Sequence, residues 1–538
     1  MYSLIRKNHT VYIFAAIISF LFSYAINHNN WVINPDAVCY LVSASTLQQG
    51  LQTAMNICGQ AKWPFYSILI ANIQQVSHLS FLQSAYLLNS FLTCATVLIF
   101  IKIVSLLNDL LKIETGTNKL RILWFAALVI LLANKLNVVR PDIIRDHGYW
   151  AFYLLSIFML LKYFNKPHWK IACLWSISIF MATLFRIEGI FFLIFMPWIA
   201  WCVPVPWVDR FRQFLALNTL TILVGISISI WFLHHPQQLY SFKRLDEVYY
   251  QLSHGLLFLS QRYYWQGNAL ITYVLGHGTA IDGAYLLFMT LLVWYVTIVF
   301  FNLSIVSSVL FIYAFYQKIF PKKNRVSWVL KSYILINVIV TLAFLGENMF
   351  LSARYVLALS LTFMLWIPFA LNKIWTMQQQ RHRTWPLTLV IVCLCISGIG
   401  GIFDFGYSKK YIYDAGSWIA KNVPKKAVVY SNDFQVMYYS EHFGNQIFVA
   451  SQALITPGVH AIFVKNNWKN FDFIALRFTK KDIDNNFKVL EKIKWQPIEV
   501  FQNKRGDCVL IYSTAHLQNL TVAMQEKVKK MKFKSWTN

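Results

Sequence analysis

The chain has 538 residues, 57% of them hydrophobic and only 13% charged, against roughly 25% charged in soluble domains. Apolar stretches recur through the first 400 positions, each long enough to cross a bilayer about 30 Å thick, which excludes a soluble globular enzyme. The formal net charge of +26 suits either nucleic acid or anionic lipid, and where the charge falls decides between them.

The first apolar segment, about Val11 to Ile26, follows Arg6 and Lys7 and ends in SYAINHNN. No small-residue cleavage pattern closes it, so it reads as an uncleaved signal anchor. Ten further spans are predicted at about 83–107, 121–138, 148–163, 171–185, 189–203, 213–233, 284–313, 331–346, 355–372 and 387–403. With the N-terminus inside, Lys112/Lys119/Arg121, Lys162/Lys166/Lys170, Arg210/Arg212, Lys318/Lys322/Lys323/Arg325 and Lys373/Arg381/Arg383 all fall on the cytoplasmic side. That is the positive-inside bias, so the basic charge is a membrane signal and no nucleic-acid partner is expected. An odd number of spans places the chain from about Asp404 onward on the opposite face.

The first exterior loop, 27–82, carries two short helical patterns near 36–50 and 64–77. The second is apolar on one side and suits a membrane surface. Cys39 and Cys58 in this loop are a candidate disulfide, since an outward-facing loop permits one. A second exterior loop, 234–282, carries KRLDEVYYQL and SQRYYWQGN. Beyond 403 the pattern changes: IYDAGSWIAKNVP reads as a helix, KAVVYS, FDFIALRF and DCVLIYS as strands, and KKDIDNNFKVLEKI as a helix. A final basic helix, MQEKVKKMKFKSW, suits anionic headgroups and a solvated surface equally. The expected architecture is a polytopic α-helical domain, 1–403, followed by a small exterior α/β domain, 404–538.

Charged residues at membrane depth are costly and mark sites. Asp36, Arg140, Asp142, Arg145, Asp146, Arg186, Glu188, Glu347 and Arg354 arrive from five places in the sequence, all predicted at the exterior ends of spans. Each has an ordinary explanation. Asp36 after Pro35 suits a helix cap. Arg140/Asp142 and Arg145/Asp146 suit a solvated turn. Arg186 and Glu188 stand two apart, too close to pair along one helix. Glu347 and Arg354 suit salt bridges to neighbouring helices. Arrival of both signs on one face argues instead for a crevice that holds a phosphate and activates a hydroxyl. His147, His234, His235, His254, His277 and His442 show no metal-ligand spacing, and a G-x-S-x-G pattern is absent. No cofactor or metal is required by this reading, although Asp36 and Asp146 would suit a divalent ion.

The order of these motifs resembles the GT-C superfamily of glycosyltransferases that use polyprenyl-phosphate sugars. The nearest branch holds the protein O-mannosyltransferases and bacterial aminoarabinose transferases. Asp36 with Tyr40 four residues on, then Lys62 and Pro64 in GQAKWPFYSIL, resembles that branch's first loop. RDHGYWAFYLLSIF, LFRIEGIFFLIF, LSARYVLALSL and AGSWIAKNVPKKAVVYS resemble later landmarks. Many relatives carry Asp-Glu where this chain has Asp36-Ala37. The resemblance implies transfer of a sugar from a polyprenyl-phosphate donor to an acceptor lipid, glycan or protein at the exterior face of a bacterial inner membrane, with inversion. Asp36 is then the general base, and Arg354, Arg186 and Lys62 contact the donor phosphate. Tyr40, Arg145, Asp146, Glu188 and Glu347 position substrate. The rival class is a transporter or flippase of a lipid-linked or anionic solute. Transporters place polar groups near the bilayer midplane, where these spans read as apolar.

Overall fold

The computed structural model describes residues 2–202, 204–234, 243–275, 282–320, 324–382, 385–403, 406–442, 470–481 and 496–514. The last basic helix, the helix expected over KKDIDNNFKVLEKI, and Lys322/Lys323 lie largely or wholly outside these residues. The chain divides into two compact units, Met1–Asn27 with Gln83–Asp404, and His28–Leu82 with Phe405–Asn538.

The first unit is helical. Seven helices among the described residues are long and apolar enough to cross a membrane, including Phe81–Leu111, Arg325–Asn348 and Trp385–Ile402. Shorter apolar helices such as Trp169–Phe185 and Ile305–Tyr316 accompany them. Each predicted span coincides with helix. Four are interrupted. The span read at 189–203 runs as Gly189–Phe195, a 3-10 turn at Met196–Trp198 and Ile199–Cys202. The span read at 121–138 stops at Leu131 and resumes as Asn134–Val138. That at 284–313 breaks at Ser304, at φ +71°, whose side chain accepts from the Ser307 N–H. Between Ala353–Met364 and Ile367–Arg381 the restart carries Pro368 in its first turn, where a missing N–H costs nothing. The loop read at 234–282 also contains a helix, Lys243–Leu270.

The helix interior is not wholly apolar. The hydroxyl of Tyr153 meets Thr362 Oγ1 at 2.9 Å and accepts from Asn337 Nδ2 at 2.6 Å. Tyr333 meets Ser156 at 2.7 Å and accepts from Trp175 Nε1 at 3.0 Å. These groups are buried and tie together Asp146–Asn165, Trp169–Phe185, Arg325–Asn348 and Ala353–Met364. Between membrane helices such bonds average about 0.6 kcal/mol each. The network corrects the expectation of apolar mid-depth, which counted charges and passed over hydroxyls and amides.

In the second unit, residues 28–82 supply the helices Pro35–Thr46, Leu51–Met55 and Phe65–Ser77. Cys39 and Cys58 are joined in a disulfide, Cα atoms 6.0 Å apart. Ser43 and Ser67 bond to the carbonyls of Ala54 and Tyr40, and Tyr40 meets Tyr66 edge to face at 5.0 Å. A bridge spanning 19 residues contributes about 3 kcal/mol by loop-closure entropy. Reduction is therefore expected to raise amide exchange across 35–62 while leaving Asp146–Asn165 unchanged; equal exchange with and without reductant would count against it.

The strands are β1 Val429–Ser431, β2 Phe473–Phe478, β3 Glu499–Gln502 and β4 Cys508–Ser513. They form one sheet in the order β1-β2-β4-β3. β1 runs parallel to β2, and β4 lies antiparallel to both β2 and β3. Alternate residues face opposite ways, as the two-residue period of a strand requires. Ala475, Val509 and Ile511 pack with the helices Lys410–Asn422 and Phe434–Ser440, while Ile474, Leu476, Phe478 and Leu510 form a second cluster. β3 was not foreseen; it is four residues long and only partly buried.

Candidate functional site

Three of the predicted charges of the first unit, Asp146, Arg186 and Glu188, gather where the helices Asp146–Asn165 and Trp169–Phe185 meet. Two glycines permit the approach. A Cβ on Gly148 would overlap the ring of Phe185, and one on Gly189 would lie 2.8 Å from the Thr183 backbone. The chain leaves its helix at Arg186, whose backbone is extended at φ −141°, ψ 126°, and re-enters a helix at Gly189–Phe195. This break corrects the expectation that Arg186 and Glu188 cannot pair. Two apart on a helix they would diverge; across an extended residue they meet.

Arg186 is held on both sides. Its Nη1 donates to Asp146 and its Nη2 to Glu188, and Nε reaches the other Glu188 oxygen at 3.2 Å. The side chains of Arg186 and Asp146 are 7% and 5% exposed, that of Glu188 24%. Burial would push the Glu188 carboxyl up, but Arg186, aided by Arg145, holds it down at about 2. Burial likewise opposes the Arg186 charge, and the two carboxylates outweigh it and raise its pKa.

Aromatic faces complete the surroundings. The Arg186 guanidinium lies 4.4 Å from the Tyr355 ring centre and 5.6 Å from that of Tyr149. Arg354 lies 5.3 Å from the same Tyr355 ring, in the first turn of Ala353–Met364, where the N-terminal end of the helix dipole favours an anion. Tyr149 stacks on Tyr153 at 5.9 Å, so the cluster runs into the hydroxyl–amide network. Arg145 is half-buried immediately before Asp146, and Glu347 half-buried near the end of Arg325–Asn348.

Arg140 is not in a solvated turn. It is 2% exposed and donates to the Ser19 carbonyl at 2.9 Å, to the hydroxyls of Ser19 and Ser23, and to Asn137 Oδ1. It thereby anchors the first helix. Asp146, at 4% exposed, is not solvated either.

Asp36, Tyr40 and Lys62 belong to the second unit. The helix there begins at Pro35 with Asn34 as its cap, so Asp36 is not the capping residue. Its half-buried carboxylate accepts from Gln60 Nε2 at 3.3 Å. Tyr40 is buried. Lys62 is half-buried in a short turn of helix and makes no ion pair among the described residues. Sequence reasoning missed Gln60, Tyr149 and Tyr355 as members of these groups. The nearness of Gln60 to Cys58 was the available signal for the first, and the SARY motif for the last. Among the described residues no group of three or more His, Cys, Asp or Glu is gathered as a metal site.

No family model matches the sequence, and no curated protein matches it. Among solved structures the chain is similar to ArnT from Cupriavidus metallidurans bound to undecaprenyl phosphate. Identity is 11%, the TM-score 0.53, and the match covers 93% of this chain and 97% of that one. The fold is GT-C. That is the fold expected from the order of the motifs, and the chain's own long apolar helices make it a multi-pass membrane protein. An oligosaccharyltransferase from Archaeoglobus fulgidus in the apo form is also similar, at 13% identity and TM-score 0.42, over 78% of this chain and 58% of that one.

Proposed function

We propose that the protein is a membrane glycosyltransferase that takes a sugar from a polyprenyl-phosphate carrier and passes it to an acceptor on the outer face of a bacterial inner membrane. The observation that carries the reading is the buried Arg186–Asp146–Glu188 cluster beside Arg354, on a fold shared along 93% of the chain with a protein solved with undecaprenyl phosphate. In the reaction an acceptor oxygen attacks the anomeric carbon from the face opposite the phosphate. The bond from that carbon to the phosphate oxygen breaks with its electron pair, inverting the centre, and Asp36 takes the acceptor's proton.

The chemistry places its main demand on the departing phosphate. Three of Arg186's five N–H groups already bond to carboxylates, leaving two for a ligand. Arg186 therefore serves chiefly to order the cluster, while Arg354 and Arg145 supply charge to the phosphate. Glu188, ionised at neutral pH, and Asp146 hold Arg186; Tyr149, Tyr355, Tyr40 and Glu347 border the sugar. Lys62 meets the lipid-phosphate end of the donor.

Arg354→Ala is expected to weaken donor binding roughly 10- to 100-fold, the loss of one charge-assisted contact. Binding of radiolabelled polyprenyl-phosphate sugar to purified protein measures it, and undiminished binding would remove Arg354 from the phosphate site. The Tyr153–Asn337–Thr362 network is the one observation that favours a carrier instead. Its members are uncharged and bond to one another, which suits helix packing. Donor-independent movement of solute across vesicles would support the carrier.

A further inference from the structure

The first loop enters the apolar core of the C-terminal domain. Val32, 6% exposed, belongs to the same buried cluster as Ile412, Ala415, Ile419, Val436 and Ile511. Its neighbours are bound through the backbone on both edges. The Ile33 N–H donates to the Tyr439 hydroxyl at 2.9 Å, that hydroxyl donates to the Trp31 carbonyl at 3.4 Å, and Gln435 Nε2 donates to the Ile33 carbonyl. Gln435 is itself held, its Oε1 accepting from Arg477 Nη1 at 3.1 Å while Arg477 pairs with Asp433. Asp433 caps the helix that carries Gln435 and Tyr439, accepting from the Gln435 and Val436 amides. The strap thus ends three residues before Asp36.

We infer that Gln435 and Tyr439 of the C-terminal domain are positioning residues for Asp36, and that this domain is a working part of the transfer site and not an appendage. The catalytic half of this inference rests on the role proposed for Asp36. The physical reason is leverage. Asp36 is the second residue of the helix Pro35–Thr46, whose start is fixed by the strap and whose next turn is fixed by Cys39–Cys58. Releasing residues 31–33 frees the first turn to tilt, and a displacement of about 1 Å at a reacting group costs on the order of 100-fold.

Two measurements on the full-length protein test it. Gln435→Ala and the milder Tyr439→Phe are expected to raise amide exchange across 31–37 about tenfold, with exchange in Asp146–Asn165 unaltered. They are also expected to lower kcat about 10- to 100-fold at unchanged donor KM. In an Asp36→Asn background the same changes should cost nothing further, because a residue acting through Asp36 has nothing left to position. Unchanged exchange, or losses that multiply in the double variants, would overturn the inference. Should exchange rise while Asp36→Asn keeps full transfer, the strap stands and the role given to Asp36 falls.

Discussion

Arg186→Met is expected to cost about 3–5 kcal/mol of stability, because it leaves the buried Asp146 and the half-buried Glu188 without the cation they share. The readout is the thermal midpoint in detergent and the amount of protein retained in membranes. Adding Asp146→Asn and Glu188→Gln should recover much of the loss, since it removes the stranded charges rather than restoring a contact. An unchanged midpoint in the single variant would show that the three side chains are not coupled. A buried ion pair is seldom a net stabiliser against apolar residues of the same size, so keeping three charges here argues for use rather than for stability. The pH dependence has a definite sign. Glu188's folded value lies near 2, below an ordinary carboxylate near 4.3. Its contribution is therefore complete above that ordinary value and disappears as pH falls toward 2. The single variant should lose this part of the acid sensitivity.

The spans were legible because hydropathy is a local property, summed over neighbours in sequence. The same window passed over Lys243–Leu270, whose apolar residues are diluted by charge and amide. It also divided the first loop from the C-terminal domain, since Val32 and Ile511 lie far apart in the chain yet share one core. Candidate site residues stood out where charge was out of place, as at Asp146, Arg186 and Glu188, which pair in the structure. Their pairing was misread at Arg186 because spacing was judged on a helix that ends there. Arg140 shows the opposite error. A charge in RPDIIRDHG reads as solvated, but its partners Ser19 and Ser23 are on the first helix, and no local pattern announces them. Neutral groups carry no charge out of place to mark them, which is why the Tyr153 network escaped and why only its nearness to Cys58 could have marked Gln60.

Asp36→Asn is expected to reduce kcat by 10²- to 10⁴-fold, the usual worth of general-base help, equivalent to about 3–5 kcal/mol on the barrier. The substitution keeps the shape of the side chain and its bond to Gln60, so helix Pro35–Thr46 and donor KM should be unaffected. That separation makes the variant decisive, because loss of a fold-bearing contact would move stability and KM as well. Gln60→Ala, which leaves the carboxylate but removes a donor to it, should cost less than Asp36→Asn. The size of the loss also reports the acceptor. A hydroxyl must surrender its proton as it attacks and depends fully on a base, whereas a phosphate oxygen arrives already ionised and needs only orientation. A loss under tenfold, measured with radiolabelled donor, therefore points to a phosphate acceptor if Gln60→Ala costs about the same. If Gln60→Ala has no effect either, Asp36 is outside the chemistry.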